Sequence, residues 1–150
     1  MEYDLHSNVK VVKGIGATDG AAAGASTVSA EIDTLGYESL EWLLDVGTIT
    51  TGTFTTLLEA SPDDGAGSPT GVWTAVPAAN ILGNSGGAAG AGPSLIATDD
   101  DQVRRIGVIS KVRHQRLTVV GAATPVADIC VMALLGNPVT RPVPNQTTTS

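Results

Sequence analysis

Residues 40–60 read LEWLLDVGTITTGTFTTLLEA, and this stretch decides the fold. Apolar side chains recur at every second position from 40 to 46, and the two faces separate again over residues 54–60. Successive side chains leave a pleated strand on opposite sides, so this alternation predicts two half-buried strands. Between them, residues 47–53 hold two glycines, which supply turn conformations, and threonines, which favour extended backbone. We therefore predict a hairpin that carries Trp42 and Phe54 into the core.

Shorter strand patterns recur along the rest of the chain, with turn and loop signals between them. The further predicted strands are residues 8–15, 27–32, 71–76, 102–110, 116–120 and 127–135. The last of these, ADICVMALL, is nearly all apolar, as in a strand that is buried on both faces. Loops rich in Gly, Ala, Asp and Pro occupy residues 19–26, 61–69 and 83–93.

About eight short strands without a convincing helix predict an all-β fold. We expect a single-domain antiparallel β-sandwich of the jelly-roll type, formed by residues 1–136. Residues 137–150 contain three prolines and no periodicity. Because proline fixes φ and removes a hydrogen-bond donor, we predict an extended C-terminal arm there.

The composition sets limits on this domain and its partners. The chain has 150 residues, of which 42% are hydrophobic but only 3% are aromatic. Small side chains each bury little apolar area, so we expect additional stabilisation from partner subunits. The formal net charge of −7 argues against a general nucleic-acid binder, whose surface is basic.

The basic residues are concentrated in one region. Five of the eight fall within thirteen positions: Arg104, Arg105, Lys111, Arg113 and Arg116. Such a basic edge on an acidic protein could dock onto copies of itself or onto another acidic surface. The alternative is that these side chains are simply the outward residues of two strands.

The sequence gives no sign of secretion or membrane insertion. Cys130 is the only cysteine, so an intrachain disulfide is excluded. The first residues lack the basic and apolar regions of a signal peptide, and no apolar run approaches the roughly 20 residues that span a bilayer. We expect a protein that folds in a reducing cytoplasm.

No catalytic or cofactor-binding constellation is predicted. The two histidines, His6 and His114, are not accompanied by a G-x-S-x-G elbow, and one cysteine with two histidines does not make a zinc site. Four carboxylates are weak calcium candidates, although they lack the spacing of a calcium loop: Asp63, Asp64, Asp99 and Asp101. Trp73 or Tyr37 could stack against a sugar, but single strand tryptophans are more often core or interface residues.

Several segments, in order, resemble small proteins encoded near the capsid genes of tailed bacteriophages and prophages. They are YDLHSNVKVV at 3–12, DTLGYESLE at 33–41, TFTTLLE at 53–59, ILG at 81–83, RIGV at 105–108, RLTV at 116–119 and ALLGNP at 133–138. The family usually carries aromatic residues in the segment equivalent to 107–116, where this chain has Val108 and His114.

This resemblance implies a non-enzymatic virion component that decorates the capsid or forms the base of a head spike or fibre. It would be made in the host bacterial cytoplasm and would lie on the capsid exterior, bound to the major capsid protein, other virion proteins and its own copies as a trimer or pentamer. No cofactor, nucleic acid or membrane is expected. The alternatives are a receptor- or carbohydrate-binding module and a head–tail joining protein. The interface candidates are Tyr3, Leu5, His6, Arg104, Arg105, Arg113, Arg116, Pro138, Arg141 and Pro142.

Overall fold

The computed structural model of the chain describes residues 4–18, 26–83 and 87–140. Eight strands lie in these ranges: β1 (Val9–Thr18), β2 (Ser26–Val28), β3 (Ile32–Asp33), β4 (Tyr37–Ser61), β5 (Thr74–Ala75), β6 (Ile81–Leu82), β7 (Gln102–Val108) and β8 (His114–Pro138). All pairings between them are antiparallel and belong to a single sheet. The prediction of an all-β, antiparallel domain with about eight strands is confirmed. The jelly-roll assignment is not, because the sheet follows one continuous path, β1–β8–β4–β7–β6.

The stretch at residues 40–60 is one strand and not a hairpin. β4 runs unbroken through residues 47–53, and β8 pairs with it from Tyr37↔Pro138 to Ser61↔His114. The hairpin prediction is therefore wrong. Threonine and isoleucine favour extended backbone, and β8 offers a partner along most of the length of β4, so the glycines need not close a turn. The strands predicted at 116–120 and 127–135 are likewise two parts of β8.

We call the paired strands β4 and β8 the ribbon. Irregular pairing in its middle bends the ribbon. The register shifts three times between Val46 and Thr53, while β8 places two residues, Ala123 and Thr124, at positive φ. The extra residues on the two strands compensate each other, so the register is the same on both sides of the bend. Bulges increase local twist and bend a strand, which explains how one sheet forms two layers.

The bend divides the ribbon into a first half, residues 37–46 with 129–138, and a second half, residues 53–61 with 114–122. Each half has its own flanking strands. In the first half, β1 pairs with the C-terminal part of β8, and β7 pairs with the N-terminal part of β4. In the second half, β2 and β3 pair with β8, while β5 pairs with β4. Phe54 and Leu95 also exchange backbone hydrogen bonds of 2.9 and 2.7 Å on this side.

The two halves enclose one hydrophobic core. Trp42 and Leu44 from the first half and Phe54 and Leu117 from the second are fully buried in one cluster. A Cβ placed on Gly92 would lie 2.9 Å from Ile106 Cδ1 and 3.3 Å from Leu58 Cδ1, so side chains of both layers meet there. The arrangement is sandwich-like.

The ends of the ribbon meet opposite the bend. β3 places Asp33 beside His114, at the end of the second half, and only four residues later Tyr37 lies beside Pro138, at the end of the first. We call the region around Asp33, Tyr37, His114 and Pro138 the seam. The backbone ladder continues past Tyr37, since Val139 N donates to Gly36 O at 2.9 Å. β8 thus includes the first two residues of the predicted arm, and residues 141–150 lie outside the described residues.

The bend requires glycine where its strands approach closely. Gly52 has a φ of +83°, and a Cβ there would lie 2.6 Å from Ala122 O and 2.7 Å from Pro125 Cα. A Cβ on Gly121 would lie 2.3 Å from Pro125 Cγ. No side chain fits at either position without moving β8, which is the partner strand of Gly52 and the strand of Gly121 itself.

Gly52→Ala is predicted to destabilise the fold by about 3 kcal/mol, because it adds overpacking to the cost of a left-handed alanine. Gly71→Ala is the matched control: its φ is +81° but nothing lies within 4 Å of the added Cβ. We expect it to cost only about 1 kcal/mol. Urea unfolding of both variants measures the difference, and equal losses would contradict a close-packed bend.

Candidate functional site

A buried histidine lies at the seam. His114 is the first residue of β8, and its backbone pairs with Ser61 at the end of β4 and with Asp33 on β3. Its side chain is 0% exposed. Because strands on both sides end here, the acidic residues that follow β4 and flank β3 are brought to the imidazole.

Each ring nitrogen of His114 faces a carboxylate. Nε2 lies 3.1 Å from Asp63 Oδ2. Nδ1 lies 2.6 Å from Glu31 Oε1, but outside the alignment of a hydrogen bond, so this contact is a charge contact.

Arg113 links the same segments on its other side. Its Nε and Nη2 donate to the two carboxylate oxygens of Asp33, both at 2.7 Å, in a bidentate pair. Nη1 donates to Asp63 Oδ2 at 2.6 Å. We call Glu31, Asp33, Asp63, Arg113 and His114 the His114 cluster. It ties β3, the loop after β4 and the start of β8 together.

The carboxylates of the cluster are held in their ionised form. The Arg113 hydrogen bonds lower the pKa of Asp33 from 3.8 to about 2. The pKa of Asp63 is also lowered, first by the hydrogen bond with His114 and then by the Gly65 N–H. These shifts favour a charged, closed cluster at neutral pH.

The cluster resembles a catalytic acid–base pair only in composition. A catalytic histidine must offer one nitrogen to a nucleophile or substrate. Both nitrogens of His114 already face carboxylates, and its ring has no exposed surface. The arrangement is suited to holding segments in place. Sequence reasoning missed it because Asp63 and His114 are 51 positions apart, and no local pattern marks such a contact.

The calcium candidates lie in two loops and are used locally. Asp64 Oδ1 accepts hydrogen bonds from the N–H groups of Ala66 and Ser68. Asp99 accepts from the Ile96 N–H and forms an ion pair with Arg104, and these contacts lower its pKa in that order. Asp63 belongs to the His114 cluster, and Asp101 is exposed. In residues 4–18, 26–83 and 87–140, no three His, Cys, Asp or Glu side chains form a group that could hold a metal ion.

The interface candidates at the two termini come to one end of the sheet. Leu5 is 74% exposed and His6 is exposed, just before β1. β1 begins where Val9 pairs with Gly136, next to the buried Pro138. Tyr3, Arg141 and Pro142 lie outside the described residues.

The basic candidates differ in their surroundings. Arg104 and Arg113 are paired with aspartates, and Arg116 donates to Glu59 at 2.8 Å. The Arg105 side chain is 81% exposed and lies 3.8 Å from Glu41, and Lys111 is also exposed. The predicted basic edge therefore offers mainly Arg105 and Lys111 to a partner.

Trp73, the predicted stacking residue, already has a cationic neighbour. The guanidinium of Arg116 lies 4.3 Å from the centre of its ring, as in a cation–π contact. Tyr37 is partly buried against the core. A sugar would therefore have to use the opposite face of the Trp73 ring.

The first half of the sheet has an apolar outward surface that the sequence did not predict. Ile129, Val131, Ala133 and Leu135 are buried on the inner side of β8, but the alternate residues are only half-buried, so the prediction of burial on both faces is wrong. We define the outer face as Val11, Leu43, Val103, Met132 and Leu134. Beside it lies a groove of about 200 Å³, the Gly136 groove, lined by Val9, Ser39, Leu40, Glu41, Leu134 and Gly136.

Asp33→Asn is predicted to lower stability in a pH-dependent way. The folded pKa of Asp33 is depressed, so its contribution is present above its ordinary pKa and is lost as pH falls from about 5 towards 2. Because this carboxylate is 43% exposed, we expect a difference of at most about 1 kcal/mol at pH 7. Urea unfolding across this range tests it. In an Arg113→Gln background the pH-dependent gap should shrink, and a gap that is constant with pH would contradict the assignment.

His114→Leu should cost about 2 kcal/mol, because it removes the buried polar contact of Asp63 and leaves Glu31 and Asp63, both partly exposed, facing an apolar side chain. His6→Leu, at an exposed site, is the control and should change stability by less than about 0.5 kcal/mol. Thermal and urea unfolding measure both. Equal stability of the two variants would show that the cluster does not hold the seam.

Comparisons with known proteins add no assignment. No family model matches the sequence, and no curated protein matches it. No helix in the described part of the chain is long and apolar enough to cross a membrane. The functional argument therefore depends on the residues and surfaces described above, together with the resemblance of the sequence segments.

Proposed function

We propose that this chain is a non-enzymatic structural protein of a bacteriophage virion, which decorates the capsid or forms the base of a head spike or fibre. The observation that carries the proposal is the outer face, where five apolar side chains remain half-buried or exposed on a rigid sheet. Exposed apolar side chains grouped on one face, here with the charged Glu41, Asp45 and Arg105 among them, are typical of protein–protein contact sites. The resemblance to proteins encoded near phage capsid genes supports the same role.

The organisation of the fold suits a building block. One hydrophobic core joins the two layers, and the bend and the seam fix them to each other. Such a body presents a surface without much loss of conformational entropy on binding. Repeated on a shell, weak contacts with the major capsid protein and with other copies would add up through avidity.

The termini provide a second kind of contact. Residues 4–8 and the exit of the chain at Thr140 lie at the same end of the sheet, since β1 begins opposite Gly136. Extended segments that leave from one end can reach across neighbouring subunits in a ring. A trimer or a pentamer on the capsid exterior is consistent with this placement.

A carbohydrate-binding role is the second candidate, favoured by one observation. Trp73 is half-buried near the surface, and Arg116 supports its ring from one side. An aromatic ring held in this way can stack against a sugar with its other face. Trp73→Ala should abolish glycan binding without unfolding the protein if this role is real.

Quantitative mass spectrometry of purified particles from the encoding phage or induced prophage tests the main proposal. We expect the chain in particles at a copy number that is a multiple of three or five per repeated site. A non-structural phage protein expressed in the same lysate serves as the control for contamination. Abundant chain in the lysate but none in the particles would contradict a virion role.

A further inference from the structure

We propose that the Gly136 groove is the acceptor for the C-terminal segment, residues 141–150, of a neighbouring copy of this chain. The inference rests on the proposed function for its biological setting and names the contact by which copies would join. It commits to one occupant, a second copy, and to one segment of it.

The groove lies on the outward-facing side of the sheet, where β1, β8 and β4 pair side by side. Gly136 lies between Val9 on β1 and Ser39 on β4. A Cβ on Gly136 would lie 2.7 Å from Ser39 Oγ, so the Ser39 side chain already lies over Gly136, and both residues border the groove. The volume of about 200 Å³ is enough for a side chain or a proline ring.

The chemistry of the groove matches the sequence of the segment. Val9 and Leu134 give apolar walls, and Glu41 gives an acidic rim. The segment reads RPVPNQTTTS, so a cation comes first and Pro142, Val143 and Pro144 follow. Proline-rich chains hold an extended conformation before binding and dock in apolar grooves at low entropic cost. Arg141 would compete with Arg105, 3.8 Å away, for the Glu41 carboxylate.

The direction of the chain indicates a neighbour. From Gly136 the strand passes Pro138 and reaches Val139, whose N–H donates to Gly36 O at 2.9 Å. Each step carries the backbone further from the row of Gly136 and Ser39. To enter its own groove the chain would have to reverse immediately, whereas ten extended residues span about 33 Å and can reach another subunit.

The adjacent outer face supports the same conclusion. Met132 and Leu134 lie outward on β8 and are only half-buried by the described residues. β8 is apolar on both sides, as strands are when both faces are covered. A neighbour anchored through the groove would place its own surface over these side chains.

Charge reversal tests the contact in the full-length protein. Glu41→Arg and Arg141→Glu should each weaken self-association by about tenfold, since attraction becomes repulsion, and the double variant should recover most of the loss. Glu38→Arg is the matched control, an exposed acid on the same strand that belongs neither to the groove nor to the outer face, and should leave self-association nearly unchanged. Sedimentation velocity measures the association, and circular dichroism checks folding. A monomeric wild type at about 100 μM, or equal effects of Glu41→Arg and Glu38→Arg, would overturn the inference.

Cross-linking separates a neighbour's segment from the chain's own. Two chains of different mass both carry Cys130→Ser; Ser39→Cys is added to one and Val143→Cys to the other, and the two are mixed and oxidised. A covalent heterodimer is expected. If a single chain carrying both cysteines closes an intramolecular disulfide and no heterodimer forms, the segment binds in its own subunit and the inference is wrong.

These outcomes are independent of the particle measurement. Arm-dependent association of a chain that is missing from virions would leave this inference standing and remove the virion role. If particles contain the chain but the charge reversals do not affect self-association, the virion role stands and this inference is wrong.

Discussion

The pairing of β4 with β8 is the constraint on which the rest of the structure depends. Every other strand except β6 attaches directly to one of these two, and β6 attaches through β7. The bulges bend the ribbon, while compensating shifts keep its register on both sides. The same bend brings the ribbon ends together, so that Asp33 and Tyr37, four residues apart, pair with opposite ends of β8. The core, the seam and the outer face all follow from this geometry.

Ion pairs between charged side chains hold the seam together, whereas apolar contacts hold the core together. The strand ends at the seam leave little room for large apolar side chains. The chain also has few aromatic residues that could fill this region. Arg113 and His114 instead bind three carboxylates from two other segments. Paired charges at a partly buried site are costly to separate, so the cluster favours one fixed arrangement over sliding of the layers. A fixed arrangement is what a surface needs in order to bind repeatedly with the same geometry.

Features that depend on neighbouring residues, such as the alternation within strands, could be predicted from the sequence. Features that depend on contacts between distant residues could not. Alternation at Leu40, Trp42 and Leu44 predicts the inward face, and that prediction is confirmed. Glycine and threonine at residues 47–53 suit a turn and a bulged strand equally, and only the presence of β8 as a partner decides between them. The pairing of Asp63 with His114 is set by the fold and has no signal in spacing. The outer face was hidden for a related reason: an apolar strand looks the same in sequence whether its second face is covered by the same chain or by another.

Native-state hydrogen exchange on the purified chain tests most directly whether the β4–β8 ribbon is one cooperative unit. If the ribbon unites the two layers, amides of Leu44 and Val131 on one side of the bend and of Leu58 and Leu117 on the other will exchange with the same free energy, through global unfolding. If one layer opens on its own at a free energy lower by more than about 2 kcal/mol, the ribbon does not unite the fold and the account is contradicted.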